Sequence, residues 1–206
     1  MSQRLAKGPG KKPVRCTLLL VLGLLCVAGC GESDSQDSPS RTPTARSGTA
    51  DQSLRDAAFA GQIAQARKAL DQGAGVNAAD EENRTALMLA AFNDSADVAK
   101  LLLDRGARVD DRDNAGRTAL LYAASGPNTK TVQLLLGQGA DVDATDKEEG
   151  WTALMFAAAE GHAAVVRALL SHGADSSIQD VDSETALDFA TDKGHAGVIQ
   201  VLKDGP

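Results

Sequence analysis

Between residues 54 and 202 the apolar positions of the chain follow two superimposed periods. The short one is helical. Leu87, Ala90 and Ala91 share a face at i, i+3, i+4 spacing, and Val98, Leu101 and Leu102 form a second such face a few residues on. Thr85 stands just before the first face, where its hydroxyl can accept an otherwise orphaned backbone N–H. Asn93-Asp94 punctuates the two faces, and Gly106 follows the second, where a left-handed residue costs glycine nothing. The pattern predicts helix, turn, helix, then an extended hairpin running into the next Thr. The long period is this whole unit. Thr85, Thr118, Thr152 and Thr185 each begin Thr-Ala-Leu at spacings of 33, 34 and 33, and Gly73, Gly106, Gly139 and Gly173 recur in step.

Self-similarity at such a period marks a helical repeat array. One helix pair cannot bury its apolar face alone, whereas stacked pairs bury it against their neighbours. The Thr-Ala-Leu openings, the alanine pairs, the Gly161-His162 turn and the closing Gly-Ala resemble the ankyrin repeat. The resemblance implies an all-α ankyrin-repeat solenoid over residues 51–206, with units at about 51–79, 80–112, 113–146, 147–179 and 180–206. The first unit lacks Thr-Ala-Leu, but Leu54 lies 33 residues before Leu87, and Ala57-Ala58, Leu70 and Gly73-Ala74 keep the phase. Leu102, Leu135 and Leu169 share one position and are expected between units. The chain departs from the family's Thr-Pro-Leu-His opening: the His place holds Met88, Leu121, Met155 and Asp188, so the hydrogen bonds that His makes are not expected. Glycine before the Thr survives at Gly116 and Gly150 but is Asn83 and Ser183 elsewhere, and one residue is inserted between Asp146 and Trp151.

Ahead of the array the text changes. Arg4, Lys7, Lys11, Lys12 and Arg15 precede an apolar run at 16–29 that is short for a membrane span, which needs about 18 to 20 apolar residues. A basic segment, an apolar core and a small-residue end describe a secretory signal over residues 1–29. Val27-Ala28-Gly29-Cys30 resembles the lipobox of bacterial lipoproteins, which implies cleavage before Cys30, a diacylglycerol on its sulfur and a periplasmic, membrane-tethered protein. An uncleaved signal-anchor and ordinary cleavage nearby are the other readings of the same text. Gly31 after the Cys favours, by resemblance to enterobacterial sorting, the outer over the inner membrane. Residues 30–50 are Ser-, Thr-, Pro- and Gly-rich, cannot bury enough surface to order themselves, and read as a flexible tether. Such a chain spans roughly 25 Å on average and about 70 Å at most.

Composition narrows the chemistry. Of three cysteines, Cys16 and Cys26 lie in the signal, so a mature chain keeps Cys30 alone and forms neither a disulfide nor a thiolate metal site. Residues 51–206 carry 14 Lys/Arg against 25 Asp/Glu, an excess of 11 acids. The acid excess argues against nucleic acid and anionic lipid as partners of the array, since both demand a basic stripe; a basic protein is the more natural target. The acidity also serves solubility. His162 and His195 follow Gly at one repeat position, which sets them about 10 Å apart, too far to share a metal. No nucleophile elbow, phosphate loop or zinc-protease helix occurs, so no catalytic residue, metal or cofactor is assigned. An envelope hydrolase or metal-dependent enzyme with an unrecognised carboxylate or His site is the alternative class.

By the resemblance, partners meet the array in a concave groove, at residues just before each Thr and seven or eight after it. The tips then offer Glu81, Glu82 and Arg84; Asn114, Ala115 and Arg117; Glu148, Glu149 and Trp151; Val181, Asp182 and Glu184. The helix ends offer Phe92 and Asn93, Ser125 and Gly126, Ala159 and Glu160, Asp192 and Lys193, with Phe59 in the first unit at the place of Phe92. Each is equally a solvated turn residue by composition. Trp151, the one Trp, stands where other units have Arg84, Arg117 and Glu184, so it is either packed against its lengthened hairpin or held ready for a partner. The array is expected to act as a monomeric adaptor, inhibitor or immunity factor, or stress-related scaffold.

Overall fold

A computed structural model of the chain describes residues 43–205, which form ten helices in five antiparallel-paired units. The first helices are α1 (Pro43–Phe59), α3 (Ala86–Phe92), α5 (Ala119–Ala124), α7 (Ala153–Ala159) and α9 (Ala186–Lys193). The second helices are α2 (Ile63–Asp71), α4 (Ala96–Asp104), α6 (Thr129–Gly137), α8 (Ala163–Ser171) and α10 (Ala196–Asp204). Each first helix packs on the next first helix and each second helix on the next second helix, giving two parallel rows. The repeat solenoid expected from the periodicity is therefore the observed fold.

Caps set the helix ends. The hydroxyls of Thr85, Thr118, Thr152 and Thr185 each accept the backbone N–H three residues on, at 3.3–3.5 Å. Where a His was missing, Met88 and Met155 turn their sulfurs back to the backbone N–H of Thr85 and Thr152 at 3.5 Å, and Asp188 does so with a carboxylate at 2.9 Å. In three of the four units the position keeps a capping acceptor despite the changed residue; Leu121 in the third has none to offer. At the other end Gly106 adopts φ +88°, its N–H bonds Leu103 O, and the Ala107 N–H bonds Leu102 O at 2.9 Å. That is a Schellman closure, and it recurs at Gly73 and Gly139.

The core runs between the rows as one continuous apolar strip. Leu102, Leu135 and Leu169 are fully buried, as their shared position predicts. The alanine pairs Ala90-Ala91, Ala123-Ala124 and Ala157-Ala158 are likewise inaccessible, which lets first helices approach closely. A second line of joints is made of carboxylates and one amide. Asp51, Asn77, Asp110 and Asp143 each accept the backbone N–H of a residue in the following turn, at Gly75, Arg108, Asp141 and Asp175, over 2.7–3.0 Å.

Two details differ from expectation. Helix α1 begins at Pro43, within the stretch read as a tether over 30–50, and Ala50 is buried against the array. Its buried residues Ala50, Leu54, Ala57 and Ala58 recur at helical spacing, so the helix extends upstream of the repeat's own start. The extended hairpins are, among the described residues, isolated antiparallel bridges at Ala79–Thr85 and Thr145–Thr152. The short turns leave no room for longer strands.

Candidate interaction face

Each hairpin tip is built on one aspartate that sequence reading passed over. Asp80 Oδ1 accepts the N–H groups of Glu82 and Arg84 at 3.1 and 2.8 Å, and Asp180 Oδ1 those of Asp182 and Glu184 at 2.9 and 2.8 Å. Asp113 holds the Arg117 N–H, and Asp146 spans the inserted residue by taking Glu149 and Trp151, both at 3.1 Å. The signal was available: Asp stands five residues before each Thr, or six across the insertion. The turns close on a left-handed residue, Asn83, Gly116, Gly150 or Ser183, at φ 60–80°. Neighbouring tips then join through their backbones. The N–H of Asn114 bonds Glu82 O at 3.0 Å, that of Lys147 bonds Ala115 O at 2.8 Å, and that of Val181 bonds Glu149 O at 3.0 Å.

The face beside these tips carries the aromatic residues. All six in the sequence, four Phe, one Tyr and one Trp, lie on first helices or at a tip. They form two chains. Phe59 stacks on Phe92 at a centroid distance of 6.4 Å and an interplanar angle of 10°, and Phe92 meets the edge of Tyr122 at 6.2 Å. Trp151 packs on Phe156 at 5.0 Å and on Phe189 of the next unit at 4.5 Å. Phe59 is 44% exposed, and Phe92, Tyr122 and Trp151 are half-buried. Tyr122, Phe156 and Phe189 share one repeat position, four after the Thr. The apolar face read from the sequence, Leu87, Ala90 and Ala91, leaves that position out.

Charge surrounds the rings. The Tyr122 hydroxyl donates to Asp113 Oδ2 at 2.7 Å. Burial, followed by the bond to Asp113 and the charge of that carboxylate, pushes the phenol well above its ordinary range, with Arg117 and Arg84 offsetting part of the rise. Arg84 is gripped by Asp80 and Glu82 at 2.8 and 3.1 Å. Burial works against its charge, but these two carboxylates outweigh it and hold the guanidinium above its usual range. Arg117 reaches Glu148 at 3.9 Å, while its Nε is buried with no hydrogen-bond partner among the described residues.

The expected contact residues thus divide. Glu81, Glu82, Glu148, Glu149 and Asp182 stand exposed at the tips, and Arg84, Arg117 and Glu184 are half-buried beside them. Asn114 is exposed, yet its amide bridges to Asn83 and to Glu81 O, so it joins two tips. Asn93 donates its amide to Phe59 O and works as a joint between units. Glu160 and Lys193 are exposed at helix ends, and so are Phe59 and Asp192. Trp151 is not a projecting side chain: besides its two ring contacts it donates Nε1–H to Asp180 Oδ2 at 3.2 Å. It packs on Phe156 of its own unit and on Phe189 of the following one. Cys30 and the signal at 1–29 lie outside the described residues.

Two of the three histidines have structural partners. His195 Nε2 lies 3.0 Å from Ala159 O, and its ring sits so close over Gly161 that a Cβ there would come within 2.8 Å of Nδ1. His172 Nδ1 lies 2.9 Å from Ala168 O. Among the described residues no group of three His, Cys, Asp or Glu is placed to hold a metal ion, and no helix is long and apolar enough to cross a membrane.

No curated protein matches the chain closely enough to count as a relative. The family described as ankyrin repeats (3 copies) matches it twice, over residues 54–146 and 125–205, which together span every unit of the array. Threonine-capped first helices, Schellman-closed second helices and the matched repeats all agree: the chain belongs to the ankyrin-repeat family.

Proposed function

We propose that the chain is an adaptor of the bacterial cell envelope that binds another protein through its tip-side face while Cys30 tethers it to the membrane. The observation that supports this most is that four of the six aromatic residues, Phe59, Phe92, Tyr122 and Trp151, are only partly covered, on the first helices and at the fourth tip. Partly exposed aromatic clusters with a polar rim are what protein contact surfaces are made of. The rim here is mainly acidic, which favours a partner with a basic surface and disfavours nucleic acid.

The tether follows from the lipobox-like text ending at Cys30, with the periplasmic side and, through Gly31, the outer membrane as its expected place. A single copy suffices for binding. Inhibition of an enzyme, immunity to one, and scaffolding under stress all use such a surface. The test is comparative capture from envelope fractions. Tyr122→Ala or Phe92→Ala should lose the captured protein, whereas Lys100→Ala on α4 should keep it. Equal capture by all three would remove the groove from the reading.

A further inference from the structure

We propose that the fifth hairpin tip, at Val181 and Asp182, is a docking edge for an extended segment of the partner in which basic and apolar residues alternate. This rests on the protein-binding reading above and names the place and the chemistry of the contact.

The tips pair in one direction. Each receives the N–H of the next, from Asn114 to Glu82 O, Lys147 to Ala115 O and Val181 to Glu149 O. Asp182 holds the place of Glu82 and Ala115, so the same translation aims its carbonyl outward, and among the described residues no hydrogen bond reaches it. A lone carbonyl at a turn is satisfied by water and marks nothing by itself. The side chain beside it changes the picture. At 64% exposure Val181 is the most exposed large apolar residue described, and its repeat equivalents are Glu81, Asn114 and Lys147. It leans over Gly150, where a Cβ would stand 3.8 Å from Val181 Cγ1, next to the indole that packs on Phe189. Val181 thus puts an exposed apolar side chain on the last tip, beside the residue that precedes Trp151.

The charge at this end is mainly acidic. Residues 146–151 and 180–188 hold one Lys against seven acids, and Glu149 and Asp182 are exposed. The opposite end differs, because Glu82 is already neutralised by Arg84. Successive side chains of an extended strand point to opposite faces. A strand laid along the fifth tip can give a backbone N–H to Asp182 O and an apolar side chain to Val181, while its Lys or Arg residues face Asp182 and Glu149. Main-chain bonding supplies attachment in such strand addition, and the alternating side chains supply selection. An acidic strand meets like charge.

The single Trp is the reporter. The full chain in detergent micelles is titrated with a synthetic peptide of alternating Lys and Val, and with the matching Glu and Val peptide, while Trp151 fluorescence is followed. The Lys peptide should shift the emission saturably and the Glu peptide should leave it unchanged. Asp182→Lys and Val181→Ser, both at exposed positions and expected to melt normally, should each weaken the Lys peptide about tenfold. Equal response to the two peptides, unchanged affinity in both variants, or no response to either overturns the proposal. Phe92→Ala separates this failure from that of the broader reading. If Phe92→Ala abolishes partner capture while Asp182→Lys and Val181→Ser leave it intact, the tip is wrong and the aromatic face still stands.

Discussion

The indole of Trp151 lies 4.5 Å from the ring of Phe189 and donates to Asp180 3.2 Å away, so the fourth tip is fastened to the fifth unit by one side chain. Nearest-neighbour interfaces carry the stability of a repeat array. Trp151 is thus part of such an interface as well as part of the candidate binding face. Trp151→Ala should destabilise the chain by about 3 kcal/mol or more, as loss of a packed large aromatic does. Trp151→Phe keeps a ring but removes the bond to Asp180, and should cost about 1 to 2 kcal/mol. Urea denaturation of the two variants followed by circular dichroism checks both values. A Trp151→Ala midpoint equal to that of the unaltered chain would mean that the ring contributes nothing to this joint.

Leu135 is fully buried in the middle unit, on the helix row that joins α4 to α8. Leu135→Ala should cost about 2 to 5 kcal/mol. Because the middle unit has neighbours on both sides, the melt should also broaden as the two halves decouple. Differential scanning calorimetry reads both effects.

Tyr122 makes a pH-dependent contribution whose sign is fixed by its surroundings. Burial and Asp113 raise its folded pKa above the ordinary value near 10. A raised pKa means that the folded state favours the protonated phenol. The stabilisation is therefore complete below about pH 10 and is lost as pH climbs from there towards the folded pKa. As the only tyrosine, it can be followed by phenolate absorbance without interference. Ionisation in the folded chain should be delayed to higher pH than in the urea-unfolded chain. Tyr122→Phe should lose stability at neutral pH, through the broken bond to Asp113, and show a shallower alkaline decline.

The repeat itself, the capping threonines, the left-handed glycines and the buried Leu102, Leu135 and Leu169 were all legible in the sequence, because each repeats at a fixed offset. Repetition turns a weak local preference into a strong one. The side-by-side rings of Phe59 and Phe92 were legible for the same reason. What repetition hides is the residue that plays a second part at an ordinary position. Tyr122 sits where Leu89 sits in the unit before, and only the fold brings its hydroxyl to Asp113. The charged equivalents of Trp151 left two readings open, packing against its own lengthened hairpin or standing ready for a partner. Its true partner is Phe189, 38 positions away in the next unit, and that contact depends on how the units stack. Helix α1 escaped notice upstream of residue 51 because the Ser-, Thr- and Gly-rich text there carries little apolar content of its own. Ala50 gains its burial from the array, not from local sequence.

The proposed anchor has a direct biochemical consequence. Two or more acyl chains hold a protein to a bilayer far more firmly than one. Cys30→Ser should release the protein from membranes or leave it unprocessed, as read by mass and by fractionation. Wild-type mass together with wild-type fractionation in that variant would rule out lipidation at Cys30.

Site-specific photocrosslinking on the native membrane asks most directly whether the aromatic face meets a protein. A photoreactive amino acid is placed at Phe92 on the face, at Val181 on the last tip, and at Lys100 or Arg167 on second helices of the opposite row. Phe92 and Val181 should each give a discrete protein adduct of the same mass, and Lys100 and Arg167 should give none. Adducts of equal yield from the second helices, or no adduct from Phe92 under conditions that label the partner elsewhere on the array, would contradict binding through this face.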